Sequence, residues 1–569
     1  MFQKPFPHYR ETHVLDGIWD FKWLGDADPV SVKPNAVDCD ECAPVPGVFD
    51  IGPKRLNARG TAVYRRKVRC PGGLNRLDIG GLGLYGRVFW DGALLGECTG
   101  PWTPCAFDFE TDPGDHDLAI VVDNRFSEER PTLMHPFADF YAFGGIYRSV
   151  VLRALPAQRI ERVAVTTLDV ATGCVKLTIR TAGWDDGKAT FAIGFDGGAA
   201  EPHELAVRNG VATVELNVPD FKVWTPDTPA LHAVRVSCGD DAVVERFGIR
   251  TIATRGQEIL LNGEPIKLCG VNRHESHPEL GPVANPQIMF NDLMHVKALG
   301  ANFVRCVHYA QDPGFLDLCD QVGVLVWEES LGWGNPESDA RHPLLRRAAV
   351  EDTVAMVRRD VNHPSIVFWG FLNEAASDTQ AMKTLYGEIA SAIRAEDASR
   401  LVTFASNRGE RDLCLEFADV IAVNLYPGWI DCDWSRECHA MVRPKIDALA
   451  AWASTGGREA KPLLVSEIGA CGIYGMHDAG RAQWTEEFQA DFFAEACRAV
   501  LENPRFAGIA LWQFFDTRSF VNIGAVRTKP FGMNLAGLLD AYRRPKLAYE
   551  AVRSLFTEFF PLQSSRQMW

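Results

Sequence analysis

The sequence predicts a multidomain chain with a jelly-roll β-sandwich, an immunoglobulin-like β-sandwich and a C-terminal (β/α)8 TIM barrel. Three observations predict it. Up to about residue 250 the chain is a series of short alternating apolar runs broken by Gly, Pro and Asp. Beyond about residue 259, strand-like runs alternate with helical ones. Two of those later apolar runs end in a glutamate, Glu374 and Glu467, the position at which barrels carry their reacting groups.

The first expected domain, residues 1–155, holds Thr61-Ala62-Val63-Tyr64 and Gly86-Arg87-Val88-Phe89-Trp90, the latter running into Asp91-Gly92, a hairpin-turn dipeptide. The second, 156–252, repeats the alternation in Val163-Ala164-Val165, Cys174-Val175-Lys176-Leu177 and Ala212-Thr213-Val214, and has the size of an immunoglobulin-like sandwich. In the third, 253–569, Leu268-Cys269-Gly270-Val271 precedes a helix expected at about 289–299, and Phe303-Val304-Arg305 precedes one at about 312–322. Further strand runs fall at 324–327, 366–371, 401–405, 420–424, 463–466 and 509–512, eight in all, which is the repeat number of a closed barrel.

Hydrophobic residues make up 47% and charged residues 23%, the balance of a globular protein with ample material for a core. No run approaches the ~18 apolar residues of a spanning helix, and the start lacks the apolar core of a signal peptide, so a cytoplasmic location is expected. A formal charge of −16 argues against nucleic acid and anionic membrane as partners, and requires any anionic substrate to be caught by a local basic pocket. The 15 cysteines are scattered, and most read as reduced core thiols. Cys39 and Cys42 form a C-x-x-C without a second pair at zinc spacing, so neither a metal nor a cofactor is expected.

Phe368-Trp369-Gly370-Phe371-Leu372-Asn373-Glu374 and Pro462-Leu463-Leu464-Val465-Ser466-Glu467 each bring a carboxylate to the end of a buried strand. Hydrolysis of a glycosidic bond needs two such groups, one to protonate the leaving oxygen and one to attack or stabilise the sugar carbon.

Several words in fixed order resemble glycoside hydrolase family 2, the retaining β-galactosidases, β-glucuronidases and β-mannosidases, over nearly the whole chain. They are Leu15-Asp16-Gly17-Ile18-Trp19-Asp20-Phe21, Gly144-Gly145-Ile146-Tyr147-Arg148, Gly270-Val271-Asn272-Arg273-His274-Glu275, Asn362-His363-Pro364-Ser365 and Asn373-Glu374. The resemblance implies Glu374 as acid/base, Glu467 as nucleophile, and Asn373 as the partner of the sugar 2-hydroxyl. Tyr426, flanked by Asn424 and Trp429, resembles the tyrosine that orients the nucleophile. His274 and His308 resemble sugar-contacting histidines, Trp512 an aromatic floor, and Asp139 an aspartate reaching a ring hydroxyl from the first domain. A carbohydrate is the implied partner, and a homo-oligomer the implied assembly.

In the β-glucuronidases of the family an Asn-x-Lys motif grips the substrate carboxylate; here Asn534 is kept and the lysine position is Ala536. Arg518, Arg527 and Lys529 in the preceding loop are candidate replacements. A β-galacturonidase-like enzyme, a β-galactosidase and a β-glucuronidase with a relocated grip therefore stay open. A non-catalytic carbohydrate-binding protein is the reading from another class, and it expects the loss of one carboxylate, whereas both are present.

Overall fold

A computed structural model of the chain describes residues 10–430, 438–519 and 529–559. Near the N-terminus a four-stranded antiparallel sheet is ordered Thr12–Val14, Val150–Ala154, Gly73–Ile79 and Cys105–Thr111. A six-stranded sheet is ordered Glu41–Val45, Gly17–Gly25, Thr61–Cys70, Gly114–Asp123, Tyr85–Trp90 and Ala93–Cys98. Period-two alternation puts Trp19, Phe21, Tyr64 and Ile120 of one sheet against Leu77, Ile79, Val150 and Leu152 of the other in a single core. Asp91 and Gly92 take φ of 48° and 83° and close the hairpin in which Trp90 faces Ala93. Cys98 and Cys105 are paired as a disulfide with Cα atoms 5.8 Å apart, and Cys39 and Cys42 are free.

A second pair of antiparallel sheets follows. Arg159–Asp169, Cys174–Ala182 and Val211–Asn217 form one, and Glu201–Val207, Gly187–Phe195, His232–Cys238 and Asp241–Phe247 the other. Val163, Leu177, Ile179, Phe191, Val236 and Phe247 share the core between them.

The remaining part is a parallel barrel. Its strands are Leu268–Arg273, Phe303–Cys306, Leu325–Glu329, Ile366–Gly370, a broken fifth made of Leu401–Val402 and Ala405–Ser406, then Ile421–Asn424, Leu463–Ile468 and Phe506–Leu511. The eighth pairs with the first, and the fifth closes the ring by pairing with the fourth through its first half and with the sixth through its second. Thr403, in the break, bonds to both neighbours: its N–H donates to the Trp369 carbonyl (3.0 Å) and its hydroxyl to the Val420 carbonyl (2.8 Å). The first two strands lie so close that a Cβ on Gly270 would stand 2.0 Å from the Phe303 carbonyl oxygen. Local signals place the helices. Asp312 caps Pro313–Val322 by accepting from the Gly314 N–H, and Gly323 ends it in the left-handed region at φ 76°. Ile252, Ile259 and Leu261 of a small three-stranded sheet pack on Leu268, Phe303 and Leu325, and so plug the barrel where its strands begin.

Other words singled out in the sequence, outside the strand ends, serve as joints. Arg148 is buried; it donates to Glu275 (2.9 Å), the Ala310 carbonyl (2.7 Å) and the Trp102 carbonyl (3.0 Å), and Trp102 stacks on Tyr309 at 4.0 Å. Asn362 pairs with the backbone of Val163 and Val165, tying the second pair of sheets to the barrel. Among the described residues no helix is long and apolar enough to cross a membrane.

Candidate active site

The fourth barrel strand ends in an unusual backbone. Leu372 and Glu374 sit at φ of 43° and 51°, a region costly for side chains other than glycine. Neighbouring segments hold it there: the Asn373 N–H donates to the Gly332 carbonyl (3.0 Å), the Glu374 N–H to the Ala405 carbonyl (3.0 Å), and the Tyr386 hydroxyl to the Leu372 carbonyl (2.9 Å). The outcome is a half-buried Glu374 carboxyl turned toward the mouth, with Asn424 donating to one oxygen at 2.9 Å. Burial first, and the charge of Glu467 second, push its pKa up to about 7.

Glu467, on the seventh strand, is buried and gripped from two sides. The Arg305 guanidinium donates to one oxygen (2.7 Å) and the Tyr426 hydroxyl to the other (2.6 Å). Arg305 is the hub of the site. Its other contacts are Glu329 (2.7 Å), the Asn272 side-chain oxygen (3.0 Å) and the Asn373 side-chain oxygen (2.8 Å), and its guanidinium lies 4.5 Å from the Trp327 ring. Burial works against its charge, but Glu329 and Glu467 more than restore it. The same Asn373 oxygen accepts from Asn424 at 3.0 Å, so one chain of contacts links Glu467, Arg305, Asn373, Asn424 and Glu374. Ser466 completes it by donating to the Asn424 oxygen (2.7 Å).

The Asn373 amide nitrogen and the Nε2 atoms of His274 and His308 are buried without hydrogen-bond partners. His308 stacks against Trp512 (5.5 Å, 18°), and His274 meets the same indole edge-on at 5.7 Å. Burial pushes the His308 pKa down to about 3 and holds His274 well below the usual range, so both rings are neutral at pH 7. His308 Nδ1 lies 3.3 Å from Glu329, whose carboxyl burial raises against the pull of Arg305.

Over these groups opens a cleft lined by Glu374, Glu467, Trp512 and Tyr426 with Trp429, Asp139, Lys529, Asn534 and Ala536. Phe137, Trp333 and Ile430 stand on its wall as well. Asp139 reaches it from the first pair of sheets, and Lys529, Asn534 (2.9 Å) and Ser519 (3.0 Å) all donate to its carboxylate. Lys529 is the only cation among the described lining residues. Arg518 is placed elsewhere: it donates to Asn57 and lies 3.8 Å over Tyr141, facing a different pocket. Arg527 falls outside the described residues.

The structure therefore brings together Glu374, Glu467, Asn373, Asn424, Tyr426, Trp429, Trp512, His274, His308, Asp139, Lys529 and Asn534. Sequence reasoning passed over Arg305, Glu329 and Asn272. A signal existed, since Arg305 is a charge inside an apolar strand run and Glu329 ends the next one, as Glu374 ends the fourth.

A family model described as "Glycosyl hydrolases family 2, TIM barrel domain" matches residues 252–560. Among solved structures, a GH2 β-galacturonidase from Eisenbergiella tayi bound to galacturonate is similar at TM-score 0.89 and 32% identity, covering 97% of this chain and 99% of that one. A β-glucuronidase of Streptococcus agalactiae is 26% identical, with 94% of each chain covered. The β-glucuronidase of Rattus norvegicus is 29% identical over 74% of this chain, and the match spans 64% of that protein's length.

Proposed function

Because the chain belongs to glycoside hydrolase family 2, we propose that it is a retaining exo-β-glycosidase acting on terminal β-linked hexopyranosides, with a galacto-configured hexuronide as its sugar. Glu374 is the acid/base and Glu467 the nucleophile. The observation that carries this is the contrast between them: Glu374 keeps its proton up to about pH 7, while Glu467 is held by Arg305 and Tyr426. In the first step the Glu467 carboxylate bonds to the anomeric carbon, the bond to the leaving oxygen breaks, and the Glu374 proton passes to that oxygen. In the second, Glu374 takes a proton from water, the water oxygen bonds to the anomeric carbon, and the bond to Glu467 breaks.

The Asn373 amide nitrogen, without a partner, is the donor for the 2-hydroxyl, and Trp512 supports the apolar face of the ring. Lys529 takes the sugar carboxylate, and Asp139 with Asn534 a ring hydroxyl. The likeness to a β-galacturonidase that binds galacturonate supports the choice. A neutral β-galactoside is the second reading, favoured by the ion pair with Asp139 that already offsets the Lys529 charge. A β-glucuronide ranks behind both, since Ala536 stands where the glucuronidases carry their gripping lysine. In this proposal residues 1–155 are a sugar-binding-like jelly roll, 156–252 an immunoglobulin-like sandwich and 253–569 the catalytic barrel.

A panel of p-nitrophenyl β-galacturonide, β-galactoside, β-glucuronide and β-mannoside tests the sugar, with the galacturonide expected to give the highest kcat/KM. Proton NMR of the reaction should find the β-anomer of the free sugar first. Release of the α-anomer first would rule out double displacement.

A further inference from the structure

We propose that the outer end of the cleft is a subsite for leaving groups with a flat apolar face, built by Phe137 and Trp333; it rests on the hydrolase reading above. The place of Trp333 is set by the acid. Its two flanking glycines clamp the Asn373 peptide: Asn373 N–H donates to Gly332, and Gly334 N–H donates to Asn373 at 2.8 Å. Trp333 is thus fixed beside the residue preceding Glu374, and it lines the same cleft into which the group on the protonated oxygen must leave.

Phe137 stands next to it, ring centroids 6.2 Å apart and tilted by 50°. It is 41% exposed, yet it is not loose. Its ring stacks on His135 at 4.9 Å and 3°, His135 Nε2 is 2.6 Å from Asp339, and Asn335 donates to that same carboxylate oxygen at 2.9 Å. An exposed aromatic ring that is already ordered presents apolar area at little entropic cost. Ile430, 55% exposed, and Trp429 add further apolar lining. Among the polar lining residues, Lys529 and Asn534 both bond to Asp139. The lining thereby offers a polar cluster suited to the sugar and an apolar set suited to what leaves. The ligand chemistry is a flat face of C–H or π character, supplied by an aryl aglycone or by the apolar face of a second pyranose.

Methyl, phenyl and disaccharide β-glycosides of the best glycone in the panel test this, with Phe137→Ala, Trp333→Ala and Trp333→Phe beside wild type. The ratio of variant to wild-type kcat/KM on each substrate cancels the intrinsic reactivity of the leaving group. Both alanine variants should lose about ten-fold more on the phenyl than on the methyl glycoside, the scale of one aromatic contact plus its buried area, and Trp333→Phe should recover most of it. A disaccharide that follows the phenyl substrate identifies sugar faces as ligands too; one that follows the methyl substrate restricts the subsite to aryl groups. Equal losses on methyl and phenyl substrates overturn the subsite. Should the variants fail to fold, wild type should bind a phenyl thioglycoside about ten-fold more tightly than the methyl analogue, and equal Kd values overturn it. Absence of turnover on every hexopyranoside would instead defeat the hydrolase reading.

Discussion

Glu374 and Glu467 end strands of the same barrel, but they are held in opposite ways. Glu467 has both oxygens occupied, one by a cation and one by a phenol, and hardly any contact with solvent. Glu374 has one neutral amide donor, a left-handed backbone and a carboxyl facing the open cleft. The first arrangement immobilises a negative charge; the second makes that charge expensive and leaves the proton free to move. Under the proposed mechanism the division of labour between two identical side chains follows from their neighbours, Arg305 contacting Glu467 and not Glu374.

The sharpest way to test the contrast is to remove each carboxylate in turn. Glu467→Gln should abolish turnover of every substrate, a loss of roughly four to six decades, because no nucleophile remains. Glu374→Gln should cost about two to four decades on a methyl glycoside or disaccharide and far less on a nitrophenyl glycoside, whose departure needs little protonation. Equal losses on both kinds of leaving group would mean that the roles are misassigned.

Glu329 probes the hub itself. Glu329→Gln keeps the shape but removes the charge that shares Arg305 with Glu467, and it places an amide opposite His308 Nδ1. kcat should fall about ten- to hundred-fold with KM little changed, and the acid limb of the pH profile should move; a proportional rise in KM would point to sugar contact instead. Lys529→Ala should lower kcat/KM for the uronide by about one to two decades and leave the neutral galactoside much less affected. Matching losses on both sugars would remove Lys529 as the carboxylate grip.

The smallest effects concern pH. With Glu374 as the proposed proton donor, kcat/KM should decline as pH rises through about 7, and this limb should vanish in Glu374→Gln. Its folded pKa lies above the ordinary 4.5, so between those values the folded state holds more protons than the unfolded one and stability falls as pH rises. Glu374→Gln should therefore raise Tm relative to wild type at pH 8 and do so less at pH 4; an equal offset at both would mean that the carboxylate charge is not the cause.

Much of the site was legible because strand ends are local in sequence. A buried apolar run that stops at a glutamate can be read at 368–374 and 462–467 without knowing what faces it, and the strand–helix rhythm located all eight barrel strands. The cap at Asp312 and the turn at Asp91-Gly92 are equally local, being set by side chains within a few residues. Lys529 and Arg518 could not be told apart in this way: both are basic loop residues, and only the folded chain sends one to Asp139 in the cleft and the other to Asn57 away from it.

The sequence by itself determined the barrel, its two terminal carboxylates and the words that tie them to family 2, because periodicity and residue type act over short stretches. Tertiary structure alone decided the rest. Closing the barrel brings Arg305 from the second strand, Glu329 from the third, Asn373 from the fourth and Glu467 from the seventh to a common point, contacts that span up to 162 positions of chain. Burial there raises the Glu374 pKa, while Arg305 and Tyr426 grip Glu467, and both the burial and the grip are properties of the packed chain and not of any segment of it.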